Sequence, residues 1–299
     1  MIDHSQPPTG VVVGVDGSPA THGAVAWAAG EAARRHLPLD LVQVLPPSER
    51  PHDEMRSPSG RAHALLEQAR HAAHAVAPDL SVRLSVVDGV VGPALLATAA
   101  QARLLVLGAR PSGGIADAGV GRTVAHAMGH AACPVVVVPA RWEPGADEAP
   151  AVIVGVDGST EAEGAVAFGA DVAERTGSSL TVVTVGARGG ETDDDVRRHL
   201  AEGVSGTVGA HPDVPLREVV RRGQVAEQLL AEARDGAALL VVGSRGRGAV
   251  SGVLLGSTSQ RVVHAAPCPV AVLSPQAAVA WAHPEQSQHA ERSEAGEAP

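Results

Sequence analysis

The stretch VVVGVDGSP (residues 11–19) returns as VIVGVDGST (152–160), 141 positions further on. LLVLGAR (104–110) returns as LLVVGSR (239–245), and ACPVVVV (132–138) as PCPVAVL (267–273), both 135 positions on. At the first spacing even Trp27 falls on Phe168. Three motifs that keep their spacing are the mark of a duplicated unit. A chain of 299 residues gives each copy about 150, enough to bury a core of its own.

Each copy alternates short apolar, β-branched runs with helical patterns. The first copy predicts strands near 11–16, 39–45, 81–87, 104–108 and 134–139. The second predicts strands near 151–157, 179–186, 214–221, 238–243 and 268–273, with helices near 160–177, 191–209, 224–235 and 257–266. Runs that are apolar throughout, not alternating, fit strands covered on both faces of a parallel sheet. The expected architecture is therefore α/β: two tandem doubly wound, Rossmann-like domains, each with a five-stranded parallel sheet and any ligand at the carboxyl ends of its strands. The expected boundaries are an N-terminal tail at 1–10, a first domain at 11–139, a linker at 140–150 and a second domain at 151–274. The polar, aperiodic stretch 275–299 is expected to be a disordered tail.

Composition excludes several functions. The net charge of −10 argues against nucleic acid as a general partner, and one Phe, three Trp and no Tyr leave few platforms for stacking bases. All 23 basic residues are Arg. Without lysine there is no P-loop lysine, no Schiff base and no kinase-type ATP lysine. No apolar run is long enough to span a membrane. MIDHSQPPTG is not expected to act as a secretory signal, and with two cysteines a cytoplasmic location is expected.

The stretch GSRGRGAVSGVLLGSTSQ (243–260) follows the fourth strand of the second copy. Gly246, Gly248, Gly252 and Gly256 permit close backbone approach to a ligand. Successive N–H groups there can form an anion nest, and the helix beginning near Ser257 offers unpaired N–H groups and a positive dipole end. Arg245 and Arg247 add cations, and Ser257, Thr258 and Ser259 add hydroxyls. The same stretch also fits a capping box, Ser257-x-x-Gln260, which needs no ligand. The familiar nucleotide signatures do not match. Gly246-x-Gly248-x-x-Ser251 lacks the last glycine of a dinucleotide fingerprint, and PSGGIADA has Ala116 where a pyrophosphatase-type loop has Asp.

The spacing Gly243-x₂-Gly246-x₉-Gly256-Ser257, the first strand VGVDGS ending at Asp157, and the APCPV entry to the last strand together resemble the universal stress protein family in its tandem form. The resemblance runs from about Val11 to Leu273. It implies ATP binding, with Asp157, Val185 and Gly155 at the adenine and Gly243, Ser244, Arg245, Gly246, Arg247 and Gly248 around ribose and phosphates. Gly256, Ser257, Thr258 and Ser259 would hold phosphates at the helix start. Mg²⁺ would travel with the ATP, without a dedicated protein ligand. The resemblance also implies pairing through the last strand of each copy, within one chain or in a homodimer.

The first copy departs from this pattern. It keeps Gly14, Asp16, Val44, Gly108, Gly121 and Thr123, but Pro111 replaces Gly246, Ser112 replaces Arg247, Asp117 replaces Gly252 and Arg122 replaces Ser257. Proline removes an N–H and fixes φ, so the first copy is expected to be the weaker site. His126 with His130, and Glu67 with His71 and His74, fit solvated helix faces better than metal sites. The functional expectation is an ATP-binding sensor or regulator of stress responses, not an enzyme, with slow or no turnover. Two alternatives stand beside it: a slow ATP-hydrolysing or adenylating enzyme on a related fold, and a dimerisation module with a vestigial nucleotide site.

Overall fold

The computed structural model describes residues 9–47, 58–109, 120–143, 150–186, 209–234, 236–246 and 255–282, together with 198, 201 and 204. The first unit comprises β1 (Val11–Gly14), α1 (Pro19–Arg35), β2 (Leu39–Leu45), α2 (Pro58–Val76), β3 (Val82–Asp88), α3 (Val91–Thr98), β4 (Leu104–Gly108), α4 (Arg122–His130) and β5 (Val135–Val138). The second comprises β6 (Ala151–Val156), α5 (Thr160–Thr176), β7 (Ser179–Gly186), β8 (Leu216–Arg222), α6 (Val225–Ala233), β9 (Ala237–Gly243), α7 (Ser257–Ala265) and β10 (Val270–Leu273). The helix expected at 191–209 falls mostly outside the described residues, although Val204 is buried in the core.

The strands form one ten-stranded sheet in the order β3-β2-β1-β4-β5-β10-β9-β6-β7-β8. Each half is parallel and doubly wound. Its strand order reverses between β1 and β4, or between β6 and β9, and that is where such sheets open a crevice at their carboxyl ends. The halves join through one antiparallel pair, with Val270 opposite Val137, Ala271 opposite Val136 and Val272 opposite Val135. Every residue of β5 and β10 is buried, which explains their unbroken apolar sequence. The pairing of last strands is thus made within the chain.

Two apolar layers cover the sheet. One packs α1, α2 and α5 on one face around Trp27, Leu66, Phe168 and Val166. The other packs α3, α4, α6 and α7 on the opposite face around Leu95, Met128, Leu229 and Val262. Cys133 and Cys268 are buried and unbridged, and burial pushes both thiols up to about 12, so each is an apolar wall group.

The sequence reading fails at residue 275. The chain does not become a tail there but forms a further helix, α8 (Pro275–Ala282). Ser274 caps it, its hydroxyl accepting from the Ala277 N–H at 3.1 Å and donating to the Ala131 carbonyl at 2.6 Å. Proline in the first turn is compatible with a helix start. Ala277 and Ala278 are buried against α5, where Gly164 leaves room for the Ala278 backbone, and Trp281 meets Phe168 edge-on at 4.9 Å. Residues 283–299 lie outside the described residues. No described helix is long and apolar enough to cross a membrane.

Candidate functional site

A cavity of about 410 Å³ opens at the carboxyl ends of β6 and β9. Its apolar side is Val183 from β7, Val225 and Leu229 from α6, Val242 from β9, and Leu255. Gly155 lies against Leu229, whose methyl a Cβ would meet at 2.9 Å, so glycine there keeps the cavity wall thin. The polar side is Asp157, Ser244, Arg245, Gly246 and the run from Gly256 to Ser259. Arg247 and Gly248 lie outside the described residues.

Asp157 follows β6 and is oriented by an Asx turn. Its Oδ1 accepts from the Ser159 N–H at 3.1 Å and the Ser159 hydroxyl at 2.6 Å. Its Oδ2 faces the loop so closely that a Cβ on Gly246 would come within 2.6 Å of it. Any larger residue at 246 must displace either the loop or the carboxylate.

The capping box does not form. Gly256, not Ser257, is the N-cap of α7 and supplies no capping side chain, while the Gln260 amide reaches the Leu255 carbonyl at 3.5 Å. The hydroxyls of the first turn divide. Ser257 is exposed and Thr258 half-buried. The Ser259 hydroxyl instead lies between the carbonyls of Ser244 at 3.0 Å and Gly256 at 2.9 Å, its one proton shared between them, beside a backbone bond from the Gly256 N–H to the Ser244 carbonyl. The α7 terminus therefore faces the cavity with its first-turn N–H groups uncapped by any described side chain, the arrangement that favours an anion.

Ser244 is fully buried, and its hydroxyl has no hydrogen-bond partner among the described residues. A buried hydroxyl left unpaired costs stability, and this one belongs to a residue of the cavity wall. Sequence reasoning placed Ser244 in the loop without seeing this; only its neighbours in space reveal it. Val185 is not part of the wall. It is half-buried, two residues beyond Val183 on the same strand face, and packs with the apolar layer around α6.

The first unit carries a matching cavity of about 470 Å³. Gly14, Asp16, Val44, Gly108, Gly121, Arg122 and Thr123 all line it. Asp16 Oδ1 accepts from the Ser18 N–H and the Thr21 hydroxyl, both at 2.9 Å. Gly121 is the uncapped N-cap of α4. Pro111, Ser112 and Asp117 lie outside the described residues. His126 and His130 stack at 4.5 Å on α4. Burial and then the neighbouring ring lower the His126 pKa, and no cluster of three metal-ligating side chains occurs among the described residues.

Two doubly wound halves, each with a crevice at its switch point and a helix start at its rim, define a tandem Rossmann-like protein. The model of the universal stress protein family matches residues 9–139 and again 150–274, and the chain belongs to that family. A universal stress protein of Mycobacterium tuberculosis is 34% identical over 303 residues, covering 88% of this chain and 94% of its own. One of Mycolicibacterium smegmatis is 34% identical over 292 residues, covering 89% and 97%. The crystal structure of a universal stress protein from Archaeoglobus fulgidus superposes with a TM-score of 0.67 at 20% identity, covering 89% of this chain and 96% of that one, and supports the fold.

Proposed function

We propose that the second unit binds ATP and that occupancy, not turnover, is its output, making the chain a nucleotide-dependent sensor or regulator in stress responses. The observation that carries this is the cavity at the switch point, with Asp157, Arg245 and the start of α7 on its polar side. An uncapped helix start and a loop glycine pressed against Asp157 accompany it. These features fit a nucleotide. Val183, Gly155 and Asp157 would hold the base, Ser244, Arg245 and Gly246 the ribose and first phosphate, and Gly256 to Thr258 the outer phosphates. Mg²⁺ would supply charge neutralisation on those phosphates.

The absence of fast chemistry is part of the proposal. Among the described residues of the lining, Asp157 is the sole carboxylate and Ser159 holds one of its oxygens; no histidine is present. A general base within reach of an attacking water is what efficient hydrolysis needs. Mass spectrometry of small molecules released on denaturing the purified chain, followed by titration with Mg·ATP, tests the reading. ATP in the released fraction, or saturable ATP binding with phosphate release below about one per second, is expected. A chain that emerges empty and takes up no ATP overturns it.

A further inference from the structure

A third cavity, of about 520 Å³, lies at the seam between the units, with walls separate from those of both crevices described above. Trp27 from α1, Val172 from α5, Leu239 from β9 and the buried Cys268 form its apolar surface, and Trp142 flanks it.

The internal duplication shows what this space accepts. At the spacings of the repeat, Trp27 corresponds to Phe168, Thr176 to Arg35 and Ala238 to Arg103. Trp27, Thr176 and Ala238 all line the cavity. Their three counterparts are the groups that surround Trp281. Phe168 meets the indole edge-on at 4.9 Å, Arg35 lies 5.6 Å from a ring centroid and Arg103 stacks at 3.6 Å. Trp281 of α8 thus fills the pseudo-twofold image of the cavity that stays open beside Trp142. The chain has no aromatic side chain left for the second place. It holds one Phe, three Trp and no Tyr; Phe168 and Trp281 form the filled image, and Trp27 and Trp142 line the open one.

The mouth selects a charge. Glu31 is fully buried and already taken by Arg34 at 2.9 Å and Arg35 at 2.6 Å. Arg141 and Arg234 line the same cavity and are exposed, and neither pairs with an acid among the described residues; Glu143 is the one other acid among the described residues of the lining. Among the described residues the balance left for a ligand is positive, and guanidinium favours a carboxylate.

We propose that this seam cavity binds a small planar aromatic carboxylate, its ring in the slot beside Trp27 and Trp142 and its carboxylate at Arg141 and Arg234. The site is independent of the nucleotide crevices and joins residues of both units, so occupancy would bear on how the halves are held together.

Titration of the full chain with indole-3-acetate, followed by calorimetry, tests the assignment, with indole and tryptamine as the neutral and cationic comparators. One saturable site is expected, about tenfold weaker for indole and weaker again for tryptamine. Ala238→Trp should fill the slot and abolish binding. Ala238→Arg, which copies Arg103, should tighten it about two- to fivefold by stacking on the ring. Mg·ATP should neither compete nor be affected. Absence of saturable binding, undiminished binding in Ala238→Trp, or displacement by ATP overturns the site, and tryptamine binding as well as indole-3-acetate overturns the role of the arginines.

Discussion

The two crevices share a frame and differ in polar detail. Each sits at a switch point, each has an aspartate held by an Asx turn after its first strand, and each ends on a helix whose N-cap is a bare glycine. The backbone bond that anchors the loop is the same as well: Ala109 N–H to Val138 at 2.8 Å in the first unit, Ser244 N–H to Leu273 at 2.7 Å in the second. The side chains diverge around it. Ala109 stands where the second unit has Ser244, Val124 where it has Ser259, and Arg122 where it has Ser257. Duplication preserved what the sheet enforces, and the groups no strand depends on drifted. The first unit kept a cavity of similar volume and the hydroxyl of Thr123, but has none at 109, 122 and 124.

If those differences matter, the crevices cannot bind alike. Calorimetric titration of the intact chain with Mg·ATP should resolve one strong site, with the first unit weaker by about a hundredfold or more, since several charge-assisted hydrogen bonds at roughly 1.5–3 kcal/mol each are missing there. Two equal sites would break the comparison outright.

Gly246→Pro transplants the first unit's Pro111 into the second. It removes an N–H and introduces a side chain where Asp157 Oδ2 already lies within 2.6 Å of the Cβ position. An affinity loss of about ten- to hundredfold is expected, with little change in the melting temperature without nucleotide. Unchanged affinity would show that the loop does not hold phosphate.

A smaller effect asks whether the asymmetry belongs to each crevice or is imposed through the seam. Arg35 Nη2 lies 2.6 Å from Asp171 Oδ2 across the units, off the line of a hydrogen bond, and Arg175 donates to Asp171 Oδ1 at 3.0 Å. Burial works to raise the Asp171 pKa, but Arg35 and Arg175 outweigh it and hold the carboxyl below its ordinary value. A depressed folded pKa contributes stability above the unfolded value of about 3.9, lost as pH falls through the lower folded one. Asp171→Asn should therefore cost about 1–2 kcal/mol at pH 7, with the gap to the parent closing only in the acid range below about pH 4. The ratio of the two ATP affinities should not move; if it does, the seam sets the asymmetry.

The strands were legible because runs such as LLVVG and VVVV are buried on both faces, and such runs have few alternatives to a parallel sheet. What escaped was non-local. PQAAVAWA gives no helical period, and α8 depends on Ser274 as a cap and on Gly164 in another helix. Strand alternation puts Val183 and Val185 on one face but does not say where the cavity ends. The seam cavity draws its walls from residues as far apart as Ala26 and Cys268, so no window of sequence contains it. The capping box failed by one residue: Gly256 took the cap and left Ser257 inside the helix.

The finest test concerns one hydroxyl. Ser244→Ala installs what the first unit has at Ala109, keeping the backbone bond to Leu273. The Ser244 hydroxyl is buried and has no partner among the described residues, so its removal should leave the nucleotide-free chain as stable as the parent, or more stable by up to about 1 kcal/mol. If the hydroxyl is there for a ligand, the same change should weaken ATP by about two- to tenfold, one neutral hydrogen bond. Melting curves with and without Mg·ATP should therefore move in opposite directions. A variant that loses stability without nucleotide and keeps its ATP shift would mean that Ser244 serves the fold and not the ligand.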